Sequence, residues 1–234
     1  MVITGTRVEG SRQALALAKT RPDTLFSTAE VHPNNSAQCD NSTTANLGAL
    51  TADEAIVAIS DCGLDFNRGV SLRPVKAQWF YQQLELAAEL GLTLFLHERD
   101  AHARFLAILR EHRDNITEAF VHCFTGSPQQ ASAYLDLDLH IGVTGWVCGK
   151  RRGGQLREAV PMTPNAKLMF ETEGPFLAPR DLRPERKRNE PECLPHIAAT
   201  VANLKNISIP TFALKTTSTA RTFFRPSKEG TAHA

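Results

Sequence analysis

Five side chains able to hold a metal ion or move a proton stand at comparable places in the chain. His32 follows the apolar run Leu25 to Val31, Asp61 follows Ile56 to Ile59, His97 follows Thr93 to Leu96, His122 follows Ala119 to Val121, and Glu173 follows Leu168 to Phe170. Imidazoles with carboxylates form a mixed nitrogen and oxygen donor set that suits Zn²⁺, Mn²⁺, Mg²⁺ or Fe²⁺, with positions left for water and substrate. A divalent ion so held lowers the pKa of bound water to about 7 and polarises a phosphoryl oxygen, while a spare carboxylate takes the proton. That chemistry is hydrolysis. A single histidine at a strand end is more often a structural, hydrogen-bonded residue, and His102, His112, His140, His196 and His233 are read that way. Repetition at equivalent places sets the others apart.

The runs that precede these groups are of strand length and alternate with segments of helical period, the mark of βαβ units around a parallel sheet. Seven strands are expected: Val2-Ile3-Thr4, Leu25 to Val31, Ile56 to Ile59, Thr93 to Leu96, Ala119 to Val121, Leu139 to Val143, and Leu168 to Phe170. Helices are expected at Ser11 to Lys19, Val75 to Leu90, Ala101 to His112, Pro128 to Leu135 and Gln155 to Val160. In Val75 to Leu90 one face carries Phe80, Leu84, Ala87 and Ala88, with Gln82, Glu85 and Glu89 toward water. Glu190 to Asn203 and Ile209 to Phe224 read as two further helices, and Arg225 to Ala234 as a polar tail.

All strands of a parallel barrel end at one rim, where active sites are built, so the five groups are expected to converge there. The fold class is therefore α/β, a TIM (β/α) barrel forming one domain over residues 1–224. A closed barrel has eight strands, and the first is the one expected to be lacking, because Met1 sits directly against an internal-looking strand. A misplaced start codon, or an open barrel that self-associates through its exposed edges, would follow from that.

With 26 Lys+Arg against 25 Asp+Glu, the net charge of +1 supplies no global pull toward nucleic acid or an anionic membrane. Any DNA contact must be local. Apolar stretches such as Leu92 to Leu96 are too short to span a bilayer, and the N-terminus lacks a signal-peptide pattern, which points to a cytoplasmic protein. The five cysteines, Cys39, Cys62, Cys123, Cys148 and Cys193, form no C-x-x-C pair and read as reduced, small apolar residues.

Several segments, in order, resemble the signature segments of TatD-type deoxyribonucleases. They are Gly63-Leu64-Asp65-Phe66 with Asn67-Arg68, His97-Glu98-Arg99-Asp100-Ala101, His122-Cys123-Phe124-Thr125-Gly126, Glu171-Thr172-Glu173-Gly174-Pro175 and Arg188-Asn189-Glu190-Pro191. The resemblance runs from about Val2 to Phe224. It implies a metal-dependent hydrolase barrel that depends on Mg²⁺, with Mn²⁺ and Zn²⁺ as alternatives, and acts as a 3′-to-5′ exonuclease on single-stranded DNA or 3′ ends, and on RNA. It also implies that Asp61, His97, His122 and Glu173 are metal ligands. Catalytic roles fall on Glu173, as base for the attacking water, and on His32, toward the leaving oxygen or the phosphate. Arg68, Arg99 and Arg188 would hold phosphate, as a bidentate guanidinium does. No membrane partner is implied, and a monomer is expected unless the barrel is open.

The sequence departs from the family pattern at the rim. Asp61 stands for glutamate and Glu173 for aspartate, each moving a carboxylate by about one carbon-carbon bond, and a misplacement on the order of 1 Å can cost about 100-fold in rate. Glu30 replaces glycine, a source of strain wherever that position requires positive φ, Asn34 replaces a second histidine, and Ser60 replaces glycine. Two other readings stay open: an impaired relative that keeps the fold and binds nucleic acid or protein, and a metal-dependent hydrolase of small amides or esters.

Overall fold

The computed structural model describes residues 1–149 and 153–224, and these divide into two compact units, Met1–Glu118 with residues 221–224, and Ala119–Ala220. The polar tail expected from Arg225 lies outside the described residues.

In the first unit, strands β1 (Val2–Ile3), β2 (Phe26–Ala29), β3 (Ile56–Asp65) and β4 (Thr93–Arg99) pair in sequence order, each pair parallel. Helices α1 (Val8–Ala18), α2 (Thr43–Leu50), α3 (Arg73–Leu90) and α4 (His102–His112) connect or follow them. In the second unit, β5 (Ala119–Val121), β6 (His140–Val143) and β7 (Leu168–Phe170) are likewise parallel and in order. Helices α5 (Pro128–Leu135), α6 (Gly154–Met162) and α7 (Leu194–Leu204) accompany them, with α8 (Ile209–Phe224) up to Ala220. Strand-helix repeats in which each strand pairs with the next are the order of a (β/α) barrel, and all seven expected strands are present.

Local chemistry explains where these elements start and stop. Helix α3 opens with Pro74 in its first turn, where no amide partner is needed, and closes on Gly91 at φ 64, a left-handed position open to glycine. Its inner face buries Phe80, Leu84 and Ala87, and Phe80 stacks on Phe105 of α4 with centroids 5.3 Å apart. Ser127 and Gln130 form a capping box at the start of α5. The helical segment expected from Glu190 opens instead with a 3₁₀ turn, Pro191–Cys193, before α7 begins.

Two differences from the sequence reading bear on the site. Strand β3 does not stop at Ile59 but continues to Asp65, so Asp61 lies within it, and His97 lies within β4. The β3 to β4 register shifts between Ile59 and Cys62, and Asp61 at φ 48 absorbs that irregularity, after which Cys62 to Asp65 pair with Leu96 to Arg99. Gly63 makes this second stretch possible, since a Cβ there would collide with the His97 carbonyl. Helix α2 has no counterpart in the sequence reading.

Glu30 is fully buried, its amide donating to Ser11 Oγ at 3.1 Å and its carboxylate accepting from the Thr28 hydroxyl at 3.2 Å. It is not one of the positive-φ residues, so the backbone strain considered for it does not arise.

Candidate active site

In the first unit, His32 is placed by the segment that leaves β2. The Gln83 side chain of α3 accepts from the Val31 amide at 2.8 Å and donates to the Val31 carbonyl at 3.1 Å, which pins the backbone directly before the histidine. His32 Nδ1 accepts from the Asn34 amide at 3.0 Å, so in the neutral ring the proton sits on Nε2. That Nε2 faces Asp61 Oδ2 at 4.0 Å. His32 is therefore set up as a donor at Nε2 and less as a metal ligand.

His97 meets a carboxylate at each ring nitrogen, Asp61 Oδ1 at 3.5 Å from Nδ1 and Asp65 Oδ2 at 3.6 Å from Nε2. Its ring packs edge-on against His32, with centroids 4.5 Å apart. Asp65 is buried, and burial acts to raise its pKa, but hydrogen bonds from His97, the Arg68 amide and Asn34 hold it well below the usual carboxylate range. Its Oδ1 accepts the amides of Asn67 and Arg68 at 2.9 and 3.0 Å, and its Oδ2 accepts Asn34 Nδ2 at 2.9 Å. A carboxylate fixed in this way orients an imidazole for metal binding through the other nitrogen. Beneath it lies Lys76, only 1% exposed, which donates to the carbonyls of Asp65 and Arg68 and to Asn34 Oδ1.

In the second unit, His122 follows β5 and is buried, with Nδ1 3.3 Å from Glu171 Oε2 and 3.6 Å from Glu173 Oε2. Glu171 is the inner of the two carboxylates, and its Oε1 also accepts the Cys123 amide at 2.6 Å. Gly142 on β6 leaves room for it, because a Cβ there would overlap the Glu171 carboxylate and the Phe120 ring. Glu173 is a third exposed and sits at φ 57. Its loop is held by Asn189, almost fully buried, which donates through Nδ2 to the carbonyls of Thr172 and Leu177. Burial pushes the neighbouring Cys123 thiol up to about 12, which keeps it protonated and unreactive at neutral pH.

The structure thus groups Asp61 and His97 with His32, and separately His122 with Glu173. Asp65, Lys76, Glu171 and Asn189 were missed as site residues. Asp65, Glu171 and Asn189 lie in quoted motifs, whereas Lys76 carried no signal. Arg68 and Arg188 are exposed loop residues and Arg99 is half-buried at the end of β4. Two donors about 2.1 Å from one ion at a tetrahedral angle lie about 3.4 Å apart. The imidazole-carboxylate separations of 3.3 to 3.6 Å, from nitrogen and oxygen donors only, fit a divalent cation in each group.

A family model described as TatD related DNase matches residues 1–225. The chain belongs to the TatD family. It is 45% identical over 227 residues to the 3′-5′ ssDNA/RNA exonuclease TatD of Erwinia billingiae, covering 96% of this chain and 87% of that protein. Identity to the 3′-5′ ssDNA/RNA exonuclease TatD of Salmonella typhimurium is 46% over 226 residues, 96% of this chain and 86% of that one. Among solved structures, a TatD homologue from Escherichia coli superposes with a TM-score of 0.87 at 26% identity, covering 96% of this chain and 85% of its own. A TatD family hydrolase from Entamoeba histolytica has the same fold, with a TM-score of 0.87 at 22% identity over 97% of this chain and 84% of its own. The TatD architecture here is an incomplete TIM barrel of seven strands among the described residues.

Proposed function

We propose that the protein is a divalent-metal-dependent nuclease that hydrolyses phosphodiester bonds of single-stranded DNA from the 3′ end, and of RNA by the same chemistry. The observation that carries this reading is the setting of two histidines, His97 and His122, each with carboxylate oxygens at ligand-like distance, in a chain of the TatD family. The names of its relatives supply the polarity and the substrate class.

His97 with Asp61, and His122 with Glu173, hold the cations, and Mg²⁺ is the ion proposed, with Mn²⁺ or Zn²⁺ able to replace it. A bound divalent ion polarises the scissile phosphoryl group and acidifies water. Asp65 keeps the His97 ring oriented through Nε2, whereas Glu171 lies 3.3 Å from the same His122 Nδ1 that faces Glu173 and adds a further donor to that group. Glu173, the more exposed carboxylate, takes the proton of the attacking water. His32 donates its Nε2 proton toward the phosphate or the leaving 3′ oxygen. Arg68, Arg99 and Arg188 contact phosphates of the strand. Five free cysteines suit a reducing compartment, and a cytoplasmic location belongs to the same reading. No helix is long and apolar enough to cross a membrane among the described residues.

The test is incubation of purified protein with end-labelled single-stranded DNA and Mg²⁺ or Mn²⁺, with and without chelator, beside a His97→Ala, His122→Ala control. Metal-dependent shortening from the 3′ end that is absent in the control is the expected result. A folded protein with no turnover would sink the proposal in favour of a relative that only binds.

A further inference from the structure

Away from the residues discussed so far, the second unit brings together a thiol, an imidazole and a carboxylate. Cys148 closes the 3₁₀ turn Gly145–Cys148 that follows β6, His196 stands in the first turn of α7, and Asp181 lies on the loop between β7 and α7. Their ligand atoms all lie within 4.8 Å of one another. His196 Nε2 and Asp181 Oδ1 are 2.8 Å apart, and Cys148 Sγ lies 3.6 Å from the Thr200 hydroxyl one turn further along α7.

We propose that Cys148, Asp181 and His196 form a second cation site, selective for a thiophilic divalent ion such as Zn²⁺. The donor types carry the choice of ion: thiolate and imidazole favour Zn²⁺, and hard Mg²⁺ takes oxygen ligands and water. The charges balance, since a thiolate, a carboxylate and a neutral imidazole cancel a divalent cation. Zn²⁺ takes sulfur at about 2.3 Å and nitrogen or oxygen at about 2.0 to 2.2 Å, so tetrahedral donors lie about 3.4 to 3.6 Å apart. The His196 to Asp181 contact would open by less than about 1 Å to admit the ion. Three ligands leave the fourth position to water. Cys148 is 3% exposed, while Asp181 and His196 are partly exposed and give the ion its route in.

Without an ion the thiol is inert, its pKa raised by burial to about 11. On binding, the S–H bond breaks, its proton passes to solvent, and the sulfur electron pair forms the bond to the ion. The consequence lies in the long connection from β7 to α7, which has no regular element before the turn Pro191–Cys193. Glu173 and Arg188 both sit on this connection, and a stretch of that length is either functional or needs an anchor. Liganding Asp181 would cross-link it to α7 and to the turn after β6. The site is independent of the nuclease reading, because it shares none of its residues.

Metal-stripped full-length protein is titrated with Co²⁺, whose bond to a thiolate gives a charge-transfer band in the near ultraviolet. The band is expected in the wild type and in His97→Ala, His122→Ala, and is expected to vanish in Cys148→Ser. Zn²⁺ is expected to displace Co²⁺ and to raise the melting temperature of the wild type but not of Cys148→Ser. Asp181→Asn with His196→Gln, at partly exposed positions, gives a second test if Cys148→Ser does not fold, with affinity lowered at least about tenfold. No band in folded wild type, or a band of full intensity in the variants, overturns the proposal and leaves an ion pair between His196 and Asp181 beside an ordinary buried thiol.

Discussion

The Lys76 ammonium donates to the main-chain carbonyl of Arg68 at 2.7 Å, from a position on α3 where a lysine would ordinarily face water. The same nitrogen serves the Asp65 carbonyl and Asn34 Oδ1, so one buried cation closes the turn after β3. Lys76→Met removes the donor and leaves these acceptors buried, each costing about 1 to 3 kcal/mol. A loss of about 3 kcal/mol in urea unfolding is expected, and Lys76→Arg should not restore it, because a planar fork does not fit converging acceptors. A variant as stable as the wild type would show that the turn holds itself.

Gly63→Ala is expected to destabilise the protein by about 3 kcal/mol or more, since the new methyl meets the His97 carbonyl at φ 148. Thermal melting measures it. The companion Gly69→Ala, at a position with open space around it, should change little.

Glu171→Gln keeps an oxygen for the Cys123 amide but removes the charge facing His122. Loss of a charged oxygen beside His122 Nδ1 is expected to cost at least about 10-fold in metal affinity or turnover. Metal titration of the nuclease rate is expected to show a higher metal requirement, with the melting temperature near that of wild type. His122→Ala, by contrast, should lower turnover at every metal concentration.

Acid sensitivity of folding is expected to trace in part to His140. Its pKa is lowered to about 4 by burial, then by Lys167, against a backbone hydrogen bond with Ala119 and the nearby Asp138. The unfolded chain takes up a proton near 6.5 while the folded one resists until about 4. Stability attributable to this group is complete above pH 6.5 and is lost as pH falls toward 4, on the order of 3 kcal/mol in all. His140→Asn should flatten that part of the urea-midpoint profile between pH 4 and 6.5, and an unchanged slope would contradict the assignment.

The strands were legible because parallel strands buried on both faces read as short continuous apolar runs, as at Ile56 to Ile59. The continuation of β3 was not, because the irregularity at Asp61 interrupts the run and Asp65 then reads as a loop residue. Helix α2 is only eight residues long, mixes the helix formers Ala and Leu with Thr, Asn and Gly, and shows no clear apolar stripe. His97 and His122 could be found from position alone. Glu171 could not be told from Glu173, because an extended strand would point both the same way, and it is the left-handed backbone at Glu173 that separates inner from outer carboxylate. Lys76 was hidden because lysine on an amphipathic helix signals a solvated face, and only three-dimensional crowding reveals the opposite.

Asp61, Cys123 and Glu173 all adopt left-handed backbone angles, φ 48, 44 and 57, which cost a non-glycine residue roughly 1 to 2 kcal/mol each. Glycine at any of them would relax the chain and delete the side chain at once. Under the proposed function, Asp61 and Glu173 then trade durability for work: a sequence selected only to stay folded would gain by giving up these two residues. For anyone engineering a hardier version, Asp61→Gly and Glu173→Gly are the tempting changes that should be refused.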